Sequence, residues 1–401
     1  MFQSRYDLVV AGGGVAGVAA ALAGARRGLR TALVEKTVWF GGLATSGLIY
    51  IYLPLCDGNG TQVTFGISEE MLKRSLEYGP GEIPPGWRRE RNAAEARRYR
   101  VIFSPASFVL SLDKMLEEAG VELWLDTVVT GATVEDGRLS AVSVANKSGC
   151  GELRAACFVD ATGDADLAAF AGHGCIEAPN ALANWTLEYR EGAVGLAPNC
   201  SMAIVGCSTD PETVPPGISG RTVSEAVLAG RKRYRERLER EYVSGKFDRR
   251  SLFPLMLPAM AELRHTRCVT GEFTLEPGME WTAFPDSVGL AADWRKPGFV
   301  WEIPYRTLLP KGLKGVLAAG RCSSSRGDAW EVTRVIPAAA MTGEAAGVAA
   351  ALSVAAGITP DRLDCGVLSR ELTQVCGFAL HFGDLGLTGE GGDYETGDFD
   401  V

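Results

Sequence analysis

The chain has 401 residues, 46% hydrophobic and 22% charged, with a formal net charge of −9. That is enough sequence for a large core or for two domains, and the acidic balance argues against nucleic acid as the main partner and gives no reason to expect an anionic membrane surface. No apolar run reaches the length of a membrane span, and no two of the ten cysteines stand as C-x-x-C, so no metal or iron–sulfur site is expected. The start carries no basic, then apolar, leader pattern; scattered cysteines then read as reduced, mostly buried thiols of a cytoplasmic protein. Cys322 and Cys268 could also be read as a redox dithiol.

Leu8–Val10 is an apolar run that reads as a strand. Gly12, Gly14 and Gly17 follow in G-x-G-x-x-G spacing, and a helix is expected from about Val15 to Leu29. Each glycine answers a separate need: a tight turn, close approach of backbone to a pyrophosphate, and close packing of helix on strand. The amides at Val15 and Ala16 would face phosphate, where the helix dipole favours negative charge. The second strand ends in Leu33-Val34-Glu35-Lys36, which puts Glu35 where a carboxylate can hold ribose hydroxyls. Strand, glycine turn, helix, strand and acid together mark a dinucleotide-binding unit, with NAD and FAD both open on the acid alone. Gly41-Gly42-Leu43-Ala44-Thr45-Ser46-Gly47 comes next, where a nicotinamide enzyme would continue its repeating strands and helices.

Residues 49 to 100 read as irregular, with turns at Gly58-Asn59-Gly60 and Pro84-Pro85-Gly86 and a helix between Gly66 and Tyr78. The basic cluster Arg88 to Arg100 reads as a solvated helix face. A helix is expected from Phe108 to Ala119, a strand at Val121–Leu125, and a hairpin of Val128–Val134 and Leu139–Ala145 turned by Asp136-Gly137. Cys157–Ala161 is the next buried strand, closed by Thr162-Gly163-Asp164. Residues 175 to 310 change texture, with four tryptophans, many prolines and the charged run Arg231–Arg240. Val316–Ala319 returns as a strand, Pro337 to Ala356 as a buried helix, and the glycine- and acid-rich end, Gly389 to Asp400, as a mobile tail.

This order predicts an α/β protein: a Rossmann-like dinucleotide domain (parallel sheet plus β-meander) formed by residues 1–48, 101–175 and 311–360. An inserted α+β substrate or cap domain takes residues 49–100 and 176–310, and residues 361–401 form a C-terminal segment. No second glycine fingerprint follows a strand, so no built-in NAD(P)H domain is expected. Electrons would then come from an organic small-molecule substrate or pass through a separate donor or acceptor.

Four segments carry a family resemblance: the fingerprint through Gly47, Phe158-Val-Asp-Ala161-Thr162-Gly163-Asp164-Ala-Asp166, Ile303-Pro-Tyr305-Arg-Thr-Leu-Leu-Pro310, and Gly315-Val-Leu-Ala-Ala-Gly320-Arg321 onward to Gly347. The chain resembles the bacterial FAD-dependent oxidoreductase family, of glutathione-reductase-like fold and distantly related to fumarate reductase flavoproteins. The resemblance implies bound FAD, adenine against the backbone at Val128 and Val129, and a helix starting near Val335 and Ile336 aimed at the flavin. It also implies noncovalent attachment, since Leu43 to Gly47 holds no histidine of the kind that carries covalent flavin. Related flavin hydroxylases usually end the strand at Ala319 with Gly-Asp. Here Gly320-Arg321 stands there, and a guanidinium suits a phosphate or a reduced-flavin anion. Trp301-Glu302-Ile303-Pro304 is half of a halogenase pattern, placed too late in the chain.

Arg264 and Arg267 match family positions and, with Tyr305 and Arg334, could clamp a substrate carboxylate. His265 is the best acid/base candidate by residue type, a position the resemblance does not support. A regular strand would put His265 and Arg267 on the face opposite Arg264. The resulting expectation is an FAD-dependent dehydrogenase or reductase. The alternatives are a flavin monooxygenase or halogenase, or a non-catalytic redox sensor or complex subunit.

Overall fold

Phe2–Ala11 is the strand around which the first unit is built. Leu8, Val9, Val10 and Ala11 are fully buried, so an apolar run replaces alternation, as in a strand covered on both faces. The computed structural model describes residues 2–83, 101–180, 183–196 and 216–389. The basic cluster from Arg88, the turn at Pro84 and nearly all of the acidic tail lie outside them.

The sheet runs in the order Glu122–Trp124, Thr31–Val34, Phe2–Ala11, Gly149–Asp160, Arg138–Asn146, Val128–Glu135, and Val316–Ala318 pairs with Gly149–Asp160. Its first four strands are parallel and its last three form an antiparallel meander. Gly149–Asp160 serves both parts. One edge of it pairs with Phe2–Ala11 throughout, while on the other Cys150–Arg154 holds the meander and Phe158–Asp160 holds Val316–Ala318. The sequence suggested only a short strand at Cys157–Ala161; the polar first half hid a 12-residue element.

Two helices without a polar face cover this sheet. Val15–Ala25 is buried through Gly24 and stops before the expected Leu29, because Gly28 turns with φ of +83°. Ile336–Ala356 is apolar on all sides, the pattern of a core helix. Among the described residues it is the one helix long and apolar enough to cross a membrane, and 83% of its apolar window is buried. The two helices meet through small residues: a Cβ on Gly343 would lie 2.1 Å from the Ala16 carbonyl oxygen.

The chain divides into two units, Met1–Gly42 with Tyr50–Ile176 and Cys268–Thr396, and Leu43–Ile49 with Glu177–Arg267 and Gly397–Val401. This departs from the domain plan read from sequence. The described parts of 50–100 and 268–310 group with the first unit, not with a substrate domain. There Ser287–Ala292 pairs with Val300–Pro304, and Gly289 lies against Met341 of the long helix. Ile67 N donates to Glu344 Oε2 of that same helix at 2.6 Å. Residues 361–389 also belong to this unit rather than standing apart, tied in by the Arg27–Glu371 ion pair at 3.1 Å.

In the second unit, Leu187–Arg190 pairs antiparallel with Ala193–Leu196 and Leu252–Met256. The charged run belongs to the helix Gly220–Val243, opened by a Ser219–Thr222 capping box. Tyr234 and Leu238 turn inward onto Phe247 and Leu252. Arg237 turns inward as well, forking onto buried Glu188 at 2.8 and 2.9 Å.

Candidate functional site: a dinucleotide cradle and an asparagine clasp

Gly12 leaves the first strand with φ of +99°, and its added Cβ would lie 2.4 Å from the Ala161 carbonyl oxygen. Gly17 is tighter still: a Cβ there would stand 1.8 Å from the Gly12 carbonyl oxygen. Between them Gly14 caps the helix without a side chain and has open space in front of it. The first-turn amides of Val15, Ala16 and Gly17 thus start an uncapped helix with no acid in its first turn.

Glu35 is buried at the end of its strand. Its Oε2 accepts from Gly13 N, and its Oε1 accepts from Thr37 N and Thr37 Oγ1, each at 2.8 Å. The carboxylate therefore fixes the glycine turn itself and keeps lone pairs for further donors, as a ribose diol would supply. Thr127 N donates to Glu35 O at 3.0 Å, which sets Val128 and Val129 at the same edge. Gly41 N donates to Gly13 O at 2.8 Å, and Gly42 approaches Gly14 so closely that a Cβ would be 3.1 Å from its Cα. Lys36 is exposed; Ala44 and Thr45 are buried and group with the second unit. An uncapped helix start, open space at Gly14 and a carboxylate with spare lone pairs fit a dinucleotide.

At the same end of the sheet, Asp160 closes the neighbouring strand level with Ala11 and is fully buried. It accepts from Ala168 N at 2.9 Å and Thr162 Oγ1 at 2.7 Å, while burial pushes its carboxyl up from the usual range. Arg321 does not stand open to an anion as its chemistry suggested. Its guanidinium donates to the Gly163 carbonyl and pairs with Asp164 at 2.8 Å, fixing the 162–164 loop. Gly320, at φ of +62°, faces Ala16 and is held by Thr342 Oγ1, which accepts from its N–H at 3.0 Å. The Cys322 sulfur receives Gly163 N and Ala165 N at 3.1 and 3.3 Å. Burial pushes the Cys322 thiol well up and Cys268 to about 12, so both pack as thiols and neither acts as a ready thiolate.

Val335 and Ile336 open the long helix, with Pro337 in its first turn, no acidic residue there and no side-chain cap. Arg334 comes immediately before. It pairs with Glu331, and its Nε is buried with no hydrogen-bond partner. Burial pulls this guanidinium below the ordinary arginine range, with Glu331 opposing the shift. Tyr305 does not serve as an anion clamp: it is fully buried and its hydroxyl donates to the Pro360 carbonyl at 3.0 Å.

Arg264, His265 and Arg267 lie in the second unit. Arg264–Thr266 is a bend and only Arg267 begins a strand, so the alternation of a regular strand does not apply. The bend is clasped by buried Asn180. Its Oδ1 accepts from Arg264 N at 2.6 Å and His265 N at 2.7 Å, and its Nδ2 donates to Pro216 O and Thr266 Oγ1. Sequence reading missed Asn180, for which Pro179-Asn180 gave only a turn signal, and Glu262, which stands alone in an apolar stretch.

Residues 7–180 and 178–372 match the family described as FAD dependent oxidoreductase. No curated protein matches the sequence. Among solved structures, the chain is similar to p-nitrophenol 4-monooxygenase from Pseudomonas putida, with 13% identity and a TM-score of 0.52 over 94% of this chain and 87% of that one. It is similar also to a geranylgeranyl bacteriochlorophyll reductase-like protein from Thermoplasma acidophilum, with 12% identity and a TM-score of 0.51 over 93% and 84%. E. coli quinol fumarate reductase matches at 13% identity and a TM-score of 0.47 over 94% and 74%. At their identities the first two likenesses are ones of fold.

Proposed function

The chain belongs to the FAD dependent oxidoreductase family, and from that premise we propose that it is a cytoplasmic dehydrogenase or reductase. It exchanges hydride between noncovalently held FAD and a small or medium organic substrate bearing a carboxylate or an enolisable carbonyl. When bound, the isoalloxazine supplies the two-electron chemistry; the chain binds, orients and polarises. Val15, Ala16 and Gly17 amides take the diphosphate and Glu35 takes ribose, with adenine beside Val128 and Val129. The start of the helix at Val335 and Ile336 offers its positive end to the negative charge that collects on a reduced ring.

The observation that carries reduction over oxygenation is the Gly320-Arg321 pair. An arginine locked on Asp164 stands where hydroxylases of related fold usually place a free aspartate. Arg334, with a buried and unsatisfied Nε, supports recognition of an anionic or carbonyl oxygen. Arg264, His265 and Arg267 are the second unit's candidates for substrate contact. Electrons leave or enter through the substrate, or through a separate protein partner.

The test is anaerobic mixing of FAD-loaded protein with a panel of hydroxy acids, enoates and ketones while the flavin absorbance is followed. Bleaching by an organic substrate is expected, and lost in Arg334→Ala with FAD retained. Reduction only by NAD(P)H, with product formed only in oxygen, would overturn the reading in favour of a monooxygenase. Acid precipitation is expected to release yellow FAD; colour left on the pellet would refute noncovalent binding.

A further inference from the structure

Arg334 stands at the end of a helix too short to aim it. The helix Gly327–Thr333 has seven residues and no side-chain cap, and Arg334 follows it directly, its N–H on Trp330 O at 3.2 Å. About two turns of helix do not hold in water by themselves, so the direction of this one is set by what grips it. The next residue, Val335, already caps the long helix Ile336–Ala356, which is buried along nearly its whole length. A rotation of the short helix would swing the Arg334 guanidinium while the long helix stayed in place.

The grip comes from the turn that follows Ser287–Ala292, and it is made of side chains. Arg295 Nη1 donates to Asp328 Oδ1 at 2.8 Å and its Nη2 to Asp328 O at 3.2 Å, in the first turn of the short helix. The same guanidinium lies on Asp293, Nε to Oδ1 and Nη2 to Oδ2, both at 3.2 Å. Asp293 is buried, and its Oδ2 also accepts from Trp301 Nε1 at 3.4 Å, which ties it to the strand Val300–Pro304. Trp294 takes the far end: its Nε1 donates to Glu331 O at 2.9 Å, and the carboxylate of Glu331 pairs with Arg334. Charge works alongside geometry. Burial opposes the charge of Asp328, yet Arg295 and Lys296 hold its carboxyl below the ordinary range. Burial pulls Arg334 down against the pull of Glu331, and the charges of Arg321 and Arg295 add to the shift. Arg334 therefore sits among like charges, and a fixed frame keeps it there.

We propose that Arg295 is a positioning residue for Arg334: by bridging Asp293 and Asp328 it sets the short helix, so that the Arg334 guanidinium keeps one place ahead of the long helix. Four of its five N–H groups are spent on Asp293 and Asp328, so Arg295 acts through Arg334. A planar fork can bridge a strand and a helix in this way, and an ammonium cannot. The consequence for substrate binding rests on the reading of Arg334 as the contact for a carboxylate or carbonyl oxygen; the placement of Arg334 does not.

The test follows Arg334 itself. FAD-loaded protein is made with isotope-labelled arginine, and exchange of the arginine Nε–H groups with deuterated water is read by NMR, Arg334→Lys assigning the signal. The buried Nε–H of Arg334 is expected to exchange slowly. Arg295→Lys keeps the charge and loses the fork, and Arg295→Met loses both. Each should speed the Arg334 exchange about tenfold or more, while the Nε–H of Arg321, bound to the Gly163 carbonyl, keeps its rate. Asp328→Ala removes the helix end of the bridge at a half-exposed site and should speed it about threefold or more. Binding of oxalate, followed by the flavin absorbance, should weaken about fivefold or more in Arg295→Lys with FAD content unchanged. Wild-type exchange in Arg295→Lys, or in Asp328→Ala should the lysine variant not hold FAD, would overturn the proposal, because charge alone would then suffice or the bridge would not matter. Exchange that speeds as much at Arg321 as at Arg334 would overturn it too, as the mark of general loosening. Faster exchange at Arg334 with oxalate bound as in the wild type would support the placement and count against Arg334 as the substrate's contact.

Discussion

The glycine cradle of the first unit and the Arg264–Thr266 bend of the second are both short irregular segments, and they are held by opposite means. The cradle is made of main chain. Gly12 and Gly17 are required by atoms 2.4 and 1.8 Å from where a side chain would begin, and the cradle's ligand-facing groups are amides. The bend is clasped by the side chain of Asn180, which comes from 84 residues away to collect two amides. A function that rests on backbone approach tolerates no side chain and so writes itself into residue spacing. A function that rests on a clasp leaves the clasped residues free to be anything locally.

The sharpest way to break this comparison is Gly17→Ala. One methyl aimed at the Gly12 carbonyl must push the helix off its strand. Overpacking costs about 1–3 kcal/mol or more, and we expect purified protein without bound FAD. Stoichiometric FAD in the absorbance spectrum would show that the cradle is looser than its geometry. Glu35→Ala tests the one side chain on which the cradle depends. It removes the acceptor of Gly13 N and Thr37 N together with a charge, worth roughly 1.5–3 kcal/mol. Titration of the apoprotein should therefore find FAD bound about 10–100-fold more weakly.

Asn180→Ala probes the other region. Two buried amides lose their acceptor, costing about 1–3 kcal/mol. Limited proteolysis should cut within 177–267 while FAD content stays normal; a loss of FAD instead would mean that the clasp supports the cradle. The smallest effect concerns Glu344, buried on the long helix and raised to about 7 by burial against the amide of Ile67 and the charges of Arg27 and Arg26. Because its folded value lies above the ordinary 4.5, it favours the folded state fully below about pH 4.5, and that stability is lost as pH rises through about 7. Glu344→Gln should flatten the fall of melting temperature across this window, by on the order of 1–2 kcal/mol. An unchanged slope would show that the carboxyl titrates normally.

Legibility followed the same line within the first unit. The fingerprint, Glu35, the hairpin beginning at Val128 and the apolar helix Ile336–Ala356 all follow from local spacing. Arg321 was visible as a residue out of pattern, but its partner was not. The Gly163 carbonyl and Asp164 lie 157–158 residues away, and only folding turns a candidate anion site into a latch. Tyr305 looked like a site residue because it stands in a motif; the Pro360 carbonyl, 55 residues on, claims its hydroxyl. Glu262 carried no signal at all. A glutamate in an apolar stretch is ordinary, and it is burial in the fold that pushes its carboxyl up to about 8.

From residue order alone came the dinucleotide fold and its parallel sheet, because glycine spacing and hydrophobic period act over a few residues. Tertiary structure decided which segments joined which unit: 268–310 packs on the long helix through Gly289 and Met341. It also decided which charges are spent and which are left over. Arg321 is spent on Asp164, Arg237 on Glu188 and Arg334 on Glu331, and what is left over is the buried Nε of Arg334, which has no hydrogen-bond partner. Pairing and desolvation depend on neighbours far off in the chain, and no local pattern encodes them.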